Sequence, residues 1–508
     1  MPNPDIQAIL GFLTQPGSTP WPVAAETWLT LCDESEIEEL MDSLCAISPP
    51  LAPEHHQYWD WLVDQILSRL ASQPAWECTF RTDLFTSLYA HLGATSKSRN
   101  QLIQFLTKRA FQEDLQAVVE VITTDPPVDE LQVGTALAPL IQNADLEWEL
   151  IFPALLDGIS NPTTAASILD LASFATRNEH LPTHPASDMV QQLNMMLSTI
   201  VKQLDVLSET QANPDDMHDV AQQVEQAVAL AVSLCDSISL ISDESSTPAL
   251  YQAMGLTHRR VQTEAAAALA RLGEADGEAH LIEMASQPIS RLRVIQYAQE
   301  LGIESRLDPS LVTETAIAES QLVLFLSEPT QLGFPPQLLE TLESRTCFWP
   351  GFDDPITNHL IRFRYEMGEM VYENIGIAGA MTFAISEDLC DLSNDEAYAY
   401  FAGMHAEHDD IYELAIDQLT EPQRIDADRC ERKIHDAGFE SVEPVLLGRL
   451  FERTALVAAA KQDGNTGFVI ASTEEIQWIN QSPSRRPITA YQAYDIYKGT
   501  VLLHTFNP

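Results

Sequence analysis

A chain of 508 residues with 45% apolar and 20% charged side chains can build a packed core. It is long enough for several domains or a long repeat array. Its 27 basic and 75 acidic residues leave a net charge of −48; that field repels a phosphate backbone and an anionic bilayer, so neither a nucleic-acid nor a membrane partner is expected.

The N-terminus, Met1 to Asp5, carries no positive charge before its first apolar run and does not read as a secretory signal. No stretch approaches the ~18 consecutive apolar residues of a membrane-spanning helix. Residues 1–110 read as a helical N-terminal region of short amphipathic helices. Ser35 to Glu38 has the capping-box pattern and leads into Leu40, Met41 and Leu44. Pro49, Pro50 and Pro53 then stop the chain. Trp59, Leu62, Ile66 and Leu70 recur at helical spacing and mark one buried face. Trp59, Trp61 and the neighbouring His55 and His56 are assigned to core packing rather than to an aromatic surface feature.

Helices alternate with short turns from 111 to 306. Asp125-Pro126 and Asn161-Pro162 each precede an apolar-periodic stretch, and a proline at the first helical position loses no needed donor. Residues 187–241 read as a long helical hairpin. One arm carries Leu193, Leu197 and Leu204 on one face, the other Val224, Val228 and Leu234, and Asn213-Pro214-Asp215 breaks them. An ordinary packed hairpin and an exposed seam for a partner helix both fit that pattern. Residues 242–249 form a polar break.

Residues 258–273 set Val261, Ala265, Ala268, Leu269 and Leu272 on one helical face, with an alanine run that permits close neighbours, and stop at Leu272-Gly273. A shorter helix with Leu281, Ile282 and Ala285 follows. Gln287-Pro288 then opens a further helix that ends at Leu301-Gly302, 29 residues after the first Leu-Gly. This passage, about 250–302, resembles HEAT repeats of the short bacterial (PBS-lyase-like) type in its Arg-Val start, Ala-rich face, Leu-Gly stop and x-Pro opening. The resemblance implies a HEAT-like α-solenoid over 111–306, whose stacked repeats expose extended surfaces. Such repeats also occur in phycobilin lyases, but no motif here supports a tetrapyrrole site.

Past about 307 the pattern changes, and 307–508 reads as a smaller α+β C-terminal domain. Ile375–Ile385 is an expected buried strand interrupted by Gly376 and Gly379, whose spacing is not that of a dinucleotide fingerprint. Ser393 to Glu396 is a capping box, and Asp428 to Glu431 is a second candidate cap for a helix ending at Gly438. Val445–Ala460 is rich in strand formers; Asp463-Gly464-Asn465 turns it back into Gly467–Ser472. Thr489 to Gln492 caps a last helix that is expected to end near Gly499.

The densest chemistry-bearing cluster is His405, Glu407 and His408, followed by Asp409 and Asp410. His405 and His408, three apart, would share a helix face, and imidazoles with a carboxylate are transition-metal ligands. The spacing is neither H-E-x-x-H nor its inverse, and polar residues at a helix C-terminus also serve the dipole. Asp353, Asp354, Glu387, Asp388 and Asp391 are assigned to caps and loops. No Walker A motif and no G-x-S-x-G elbow is present. Seven cysteines, an odd number with no C-x-x-C pair, fit reduced thiols and a cytoplasmic chain. The expected function is a protein-binding scaffold that uses a helical-repeat surface, with no cofactor. The alternative is an enzyme whose site lies near His405, Glu407 and His408.

Overall fold

The computed structural model describes residues 3–14, 21–47, 55–73, 80–128, 130–209, 217–328, 330–368, 370–406, 408–481 and 485–507. By its contacts the chain divides into Met1–Leu281 and Ile282–Pro508. The breaks expected at Pro49, Pro50, Pro53 and Asn213 to Asp215 lie outside the described residues.

The first unit is helical. It comprises α1 (Pro4–Thr14), α2 (Val23–Leu31), α3 (Glu34–Cys45), α4 (His56–Ala71), α5 (Thr82–His91), α6 (Lys97–Arg109) and α7 (Gln112–Thr124). Then come α8 (Glu130–Gln142), α9 (Pro162–Arg177), α10 (Val190–Glu209), α11 (Met217–Ile241), α12 (Thr247–Met254), α13 (Arg259–Arg271) and α14 (Ala275–Met284). Each early helix packs on the next but one. One series runs α1, α3, α5, α7; the other runs α2, α4, α6, α8, α9, and continues through α11 to α13. Amphipathic stripes make this packing favourable: Trp59, Leu62, Ile66 and Leu70 of α4 are all buried, as their spacing predicts. Trp59 stacks on His91 at 5.0 Å.

Several helix ends differ from expectation. The first capping box is Asp33 with Glu36, not Ser35 with Glu38, because Asp33 is the residue whose backbone is extended. Asn161 caps α9 with Pro162 in its first turn, as expected. Asp125 instead closes α7, and the next helix starts only at Glu130. The polar break at 242–249 already contains the start of α12, which opens on Thr247-Pro248. The two arms of the hairpin are α10 and α11. By length and apolar composition, α11 from Asp219 to Ile241 passes the test for a membrane-crossing helix, yet 67% of its most apolar window is buried in the protein.

In α13 the alanine run is buried on nearly every side, Ala265 to Ala268 all being covered. It lies between α11 and α12, and Gly277 of α14 would meet Leu269 if it carried a β-carbon. Small side chains are therefore what this crowded position requires. Gly273 and Gly302 both have positive φ, +84° and +68°, and end their helices as the Leu-Gly pattern predicts.

A buried histidine makes this unit pH-sensitive. His184 accepts a hydrogen bond from the Ala186 amide at 3.2 Å, and burial lowers its pKa from 6.5 to about 4. The unfolded chain takes up that proton at 6.5 and the folded chain only near 4. Stability contributed by His184 is thus full above 6.5 and is lost as pH falls toward 4. Melting midpoints recorded across that window should fall less steeply for His184→Gln than for wild type; parallel curves would refute the assignment.

The second unit begins with α15 (Pro288–Leu301) and α16 (Glu314–Leu326). The boundary expected at 306/307 falls inside it, because α15 packs on α16 and α16 packs on a sheet. That sheet is an antiparallel meander of β1 (Leu338–Cys347), β2 (Ile356–Met367) and β3 (Met370–Gly379). After α17 (Asn394–His405) come β4 (Ile411–Ala415), α18 (Glu421–Asp436), β5 (Glu440–Leu450), β6 (Arg453–Gln462), β7 (Asn465–Ser472), β8 (Ile476–Gln481) and α19 (Ala490–Phe506). Strands β4 to β8 form a second antiparallel sheet in chain order. The chain is thus mainly helical and closes on two antiparallel sheets with their helices.

Strand alternation sorts side chains between the layers. Leu322 and Leu326 of α16 cover one face of the first sheet through Ile361 and Phe363. Leu360, Ile375 and Ile377 on its other face enter a central core with α17, α19 and Leu446, Val457 and Ile470 of the second sheet. Cys430 and Ile434 of α18 cover the far face through Leu447, Leu456 and Val469.

Three local readings are corrected here. Val445–Ala460 is not one strand: β5 and β6 are joined at Phe451, which takes a φ of +51°. The helix expected from Asp428 begins about two turns earlier, where Thr420 donates its backbone N–H to Gln423 at 2.8 Å. Gly499 does not end the last helix, which runs through it to Phe506.

Candidate functional site

The expected cluster lies at the end of α17. The helix stops at His405, so His408 belongs to the following turn and the two do not share a helix face. Glu407 lies outside the described residues. Both histidines nevertheless line one cleft of about 780 Å³ in the second unit. Its walls are apolar: Met381 and Phe383 after β3, Phe401 and Met404 of α17, Phe451 at the β5–β6 turn, and Leu502 and Phe506 of α19. Phe383, Phe451 and Phe506 remain more than a third exposed, an apolar grouping of the kind that marks a binding surface.

Each ring is oriented by a backbone group. His405 Nδ1 donates to the Pro350 carbonyl at 3.2 Å, and its ring stacks on Phe352. That tautomer leaves Nε2 as an acceptor. His408 Nδ1 accepts from the Asp410 amide at 3.1 Å, and its ring meets Phe451 edge-on at 5.1 Å. In neutral His408 the other nitrogen is therefore a donor. The cleft thus sets two imidazoles among apolar walls, which suits binding of a ligand with a small polar group. Among the described residues, no group of three or more His, Cys, Asp or Glu is arranged to hold a metal ion.

Of the carboxylates assigned to caps and loops, Asp388 and Asp391 meet Arg486. Asp388 pairs with Arg486, Asp391 accepts from the Arg486 amide at 2.6 Å, and Arg485 reaches Glu396 at 2.6 Å. Arg362 meets Glu340 at 2.6 Å and Arg364 meets Glu366 at 3.0 Å. The arginines at 362, 364, 485 and 486 are thereby paired. Asp353 and Asp354 are exposed in a loop. Burial pushes the Cys390 thiol up to about 11 and also raises that of Cys430, so neither is an activated nucleophile. Gly376 and Gly379 are close-packing positions: a β-carbon at 376 would strike Leu322, and one at 379 the Thr357 carbonyl.

Two shallower grooves lie in the helical unit. One of about 520 Å³ runs between α4, α6 and α8 past Gln104, Phe105 and Gln142; another of about 610 Å³ lies between α5 and α7. The aromatic walls of the cleft were not legible in the sequence, since its lining comes from five separate segments. A scan against protein-family models, a search of curated proteins and a search of solved structures each find no match to this chain.

Proposed function

We propose that this protein is a protein-binding scaffold whose helical unit is a HEAT-like α-solenoid. The observation that carries the reading is the packing of each helix on the next but one, in two parallel series from α1 to α8. Stacked helix pairs pack in this way and leave a continuous face on each series. The alanine-rich α13 and the left-handed Gly273 support the repeat reading at the other end of this unit. A protein is the partner because a net charge of −48 disfavours phosphate and the arginine spots at 362–364 and 485–486 are ion-paired. Free thiols at all six described cysteines support a cytoplasmic setting.

Gln104 and Gln142 are exposed residues of the α4–α6–α8 groove, where substitution costs little stability. Crosslinking of the full chain in its native extract should place a partner on this helical face. The reconstituted complex should weaken at least ten-fold in Gln104→Arg/Gln142→Arg with the melting curve unchanged. Crosslinks that avoid the helical unit altogether would refute the scaffold reading. A second reading, an enzyme or small-ligand site near His405, Glu407 and His408, draws support from the presence of both histidines in one apolar cleft.

A further inference from the structure

The second unit contains the same module twice. Helix α16, strands β1 to β3 and helix α17 are followed by α18, β5 to β8 and α19, and in each case the first helix covers the outer face of the sheet and the last helix its inner face. The sequences of the last helices agree. Ser393 and Thr489 cap them, Glu396 and Gln492 complete the capping boxes, and the interval is 96 residues in both. At the same interval Ala397 matches Ala493, Tyr398 matches Tyr494 and Gly403 matches Gly499. Both tyrosines tie their helix to their own module's sheet, on different strands: Tyr398 donates to the Asn358 carbonyl of β2 and Tyr494 to the Arg449 carbonyl of β5, both at 2.8 Å.

The packing is reciprocal as well. A β-carbon on Gly403 would overlap the Asp495 carbonyl, and one on Gly499 would overlap the Ala399 carbonyl. Positions 399 and 495 are themselves 96 apart. Residue i meeting j while j's counterpart meets i's is the mark of an isologous, two-fold contact.

Two elements break the equivalence, β8 at one edge of the second sheet and β4 at the other. In the second module β5 carries an extra edge strand, β4, paired antiparallel from Ile411 opposite Leu450 to Ala415 opposite Leu446. Its counterpart β1 pairs with β2 on one side and, among the described residues, with no strand on the other. The free edge is already partly engaged. Phe348, just past β1, donates its backbone N–H to Asn507 Oδ1 at 2.7 Å and accepts from Asn507 Nδ2 at 2.9 Å. The side-chain amide meets both groups as a neighbouring strand's peptide would. Counting back by twos, Ser344 and Thr346 turn their N–H and C=O groups the same way. Both residues are exposed.

We infer that the free edge of β1 binds an extended segment of a partner protein, which adds antiparallel as a fourth strand in the place β4 fills in the other module. Strand addition of this kind takes its affinity from main-chain hydrogen bonds. The segment carries apolar side chains, as Ile411, Tyr412 and Leu414 of β4 do, and basic flanks. Exposed Asp353 and Asp354 lie in the loop that follows β1, and the chain as a whole carries −48. This site is independent of the helical-scaffold reading and stands or falls separately.

A labelled peptide with the sequence of Ile411–Ala415 between pairs of lysines should bind the full chain saturably in fluorescence anisotropy. N-methylation of alternate backbone amides in the peptide should weaken binding at least ten-fold. Thr346→Pro should do the same while leaving the circular dichroism intact, because proline there removes an outward N–H and spares the ladder to β2. If that variant fails to fold, the methylated peptide on the wild-type chain decides. Replacing the lysines by glutamates should also weaken binding. The proposal is overturned by no binding near 1 mM peptide, by binding indifferent to methylation, by binding that a folded Thr346→Pro retains, or by self-association of the chain that Thr346→Pro abolishes.

Discussion

Gly499→Val is expected to destabilise the second unit by about 3 kcal/mol or more and to open the α17–α19 crossing first. Even a β-carbon at this position overlaps the Ala399 carbonyl and crowds Gly403, and both obstacles are backbone that cannot rotate away. Branching at Cβ adds to the overlap. Gly403→Val is expected to behave alike, through the Asp495 carbonyl. The contrast is Gly11→Ala in α1, where nothing lies within 4 Å of the added carbon. There, relief of glycine's backbone entropy should leave stability unchanged or raise it by roughly 0.5–1 kcal/mol. A chain of two units need not unfold in one step, so hydrogen exchange resolved to α17 and α19 is the suitable measurement. Wild-type protection of both helices in Gly499→Val would show that the crossing tolerates separation.

Arg109→Met should cost the helical unit about 3–5 kcal/mol, the usual loss when one member of a buried ion pair is removed. Asp114 has a fully buried side chain and Arg109 is nearly so. The guanidinium meets both carboxylate oxygens at 2.9 Å, Thr82 donates to the same carboxylate at 2.6 Å, and Arg109 also reaches the Phe80 carbonyl at 3.0 Å. Without the arginine, a carboxylate stays buried with one hydroxyl for company. Arg109→Met/Asp114→Leu should recover much of the loss, since it removes the stranded charge as well. Thermal melts of the single and double variants distinguish the two cases. A double variant no better than the single one would mean that stacking of the guanidinium over Phe85 and Phe111, rather than its pairing with Asp114, holds this corner together.

Much of the local structure was legible in the residues. The buried face of α4, the Asn161-Pro162 helix start, the Ser393–Glu396 and Thr489–Gln492 capping boxes and the Leu-Gly stops all rest on interactions within a turn or two of chain. The duplication in the second unit was legible too, in the capping box, Ala-Tyr pair and glycine shared by α17 and α19, but a 96-residue interval is visible only once both segments are known to be helices. The strand-rich run at Val445–Ala460 hid a turn because Phe451, rather than a glycine or asparagine, takes the left-handed conformation there.

By itself, the sequence determined some helix starts, those at Asn161, Ser393 and Thr489, the face that α4 buries, and that the chain carries a strongly acidic net charge. Those properties follow from spacing and charge along one short segment. The tertiary structure alone decided that Gly499, unlike Gly273 and Gly302, does not end its helix. All three follow apolar helical stretches, yet Gly273 and Gly302 end a helix with positive φ and Gly499 lies in mid-helix beneath another backbone. It also decided that His405 and His408 reach one cleft from a helix end and a turn, walled by phenylalanines from distant segments. A neighbour's position in space is set by the packing of whole layers, and residue spacing within a segment carries no record of it.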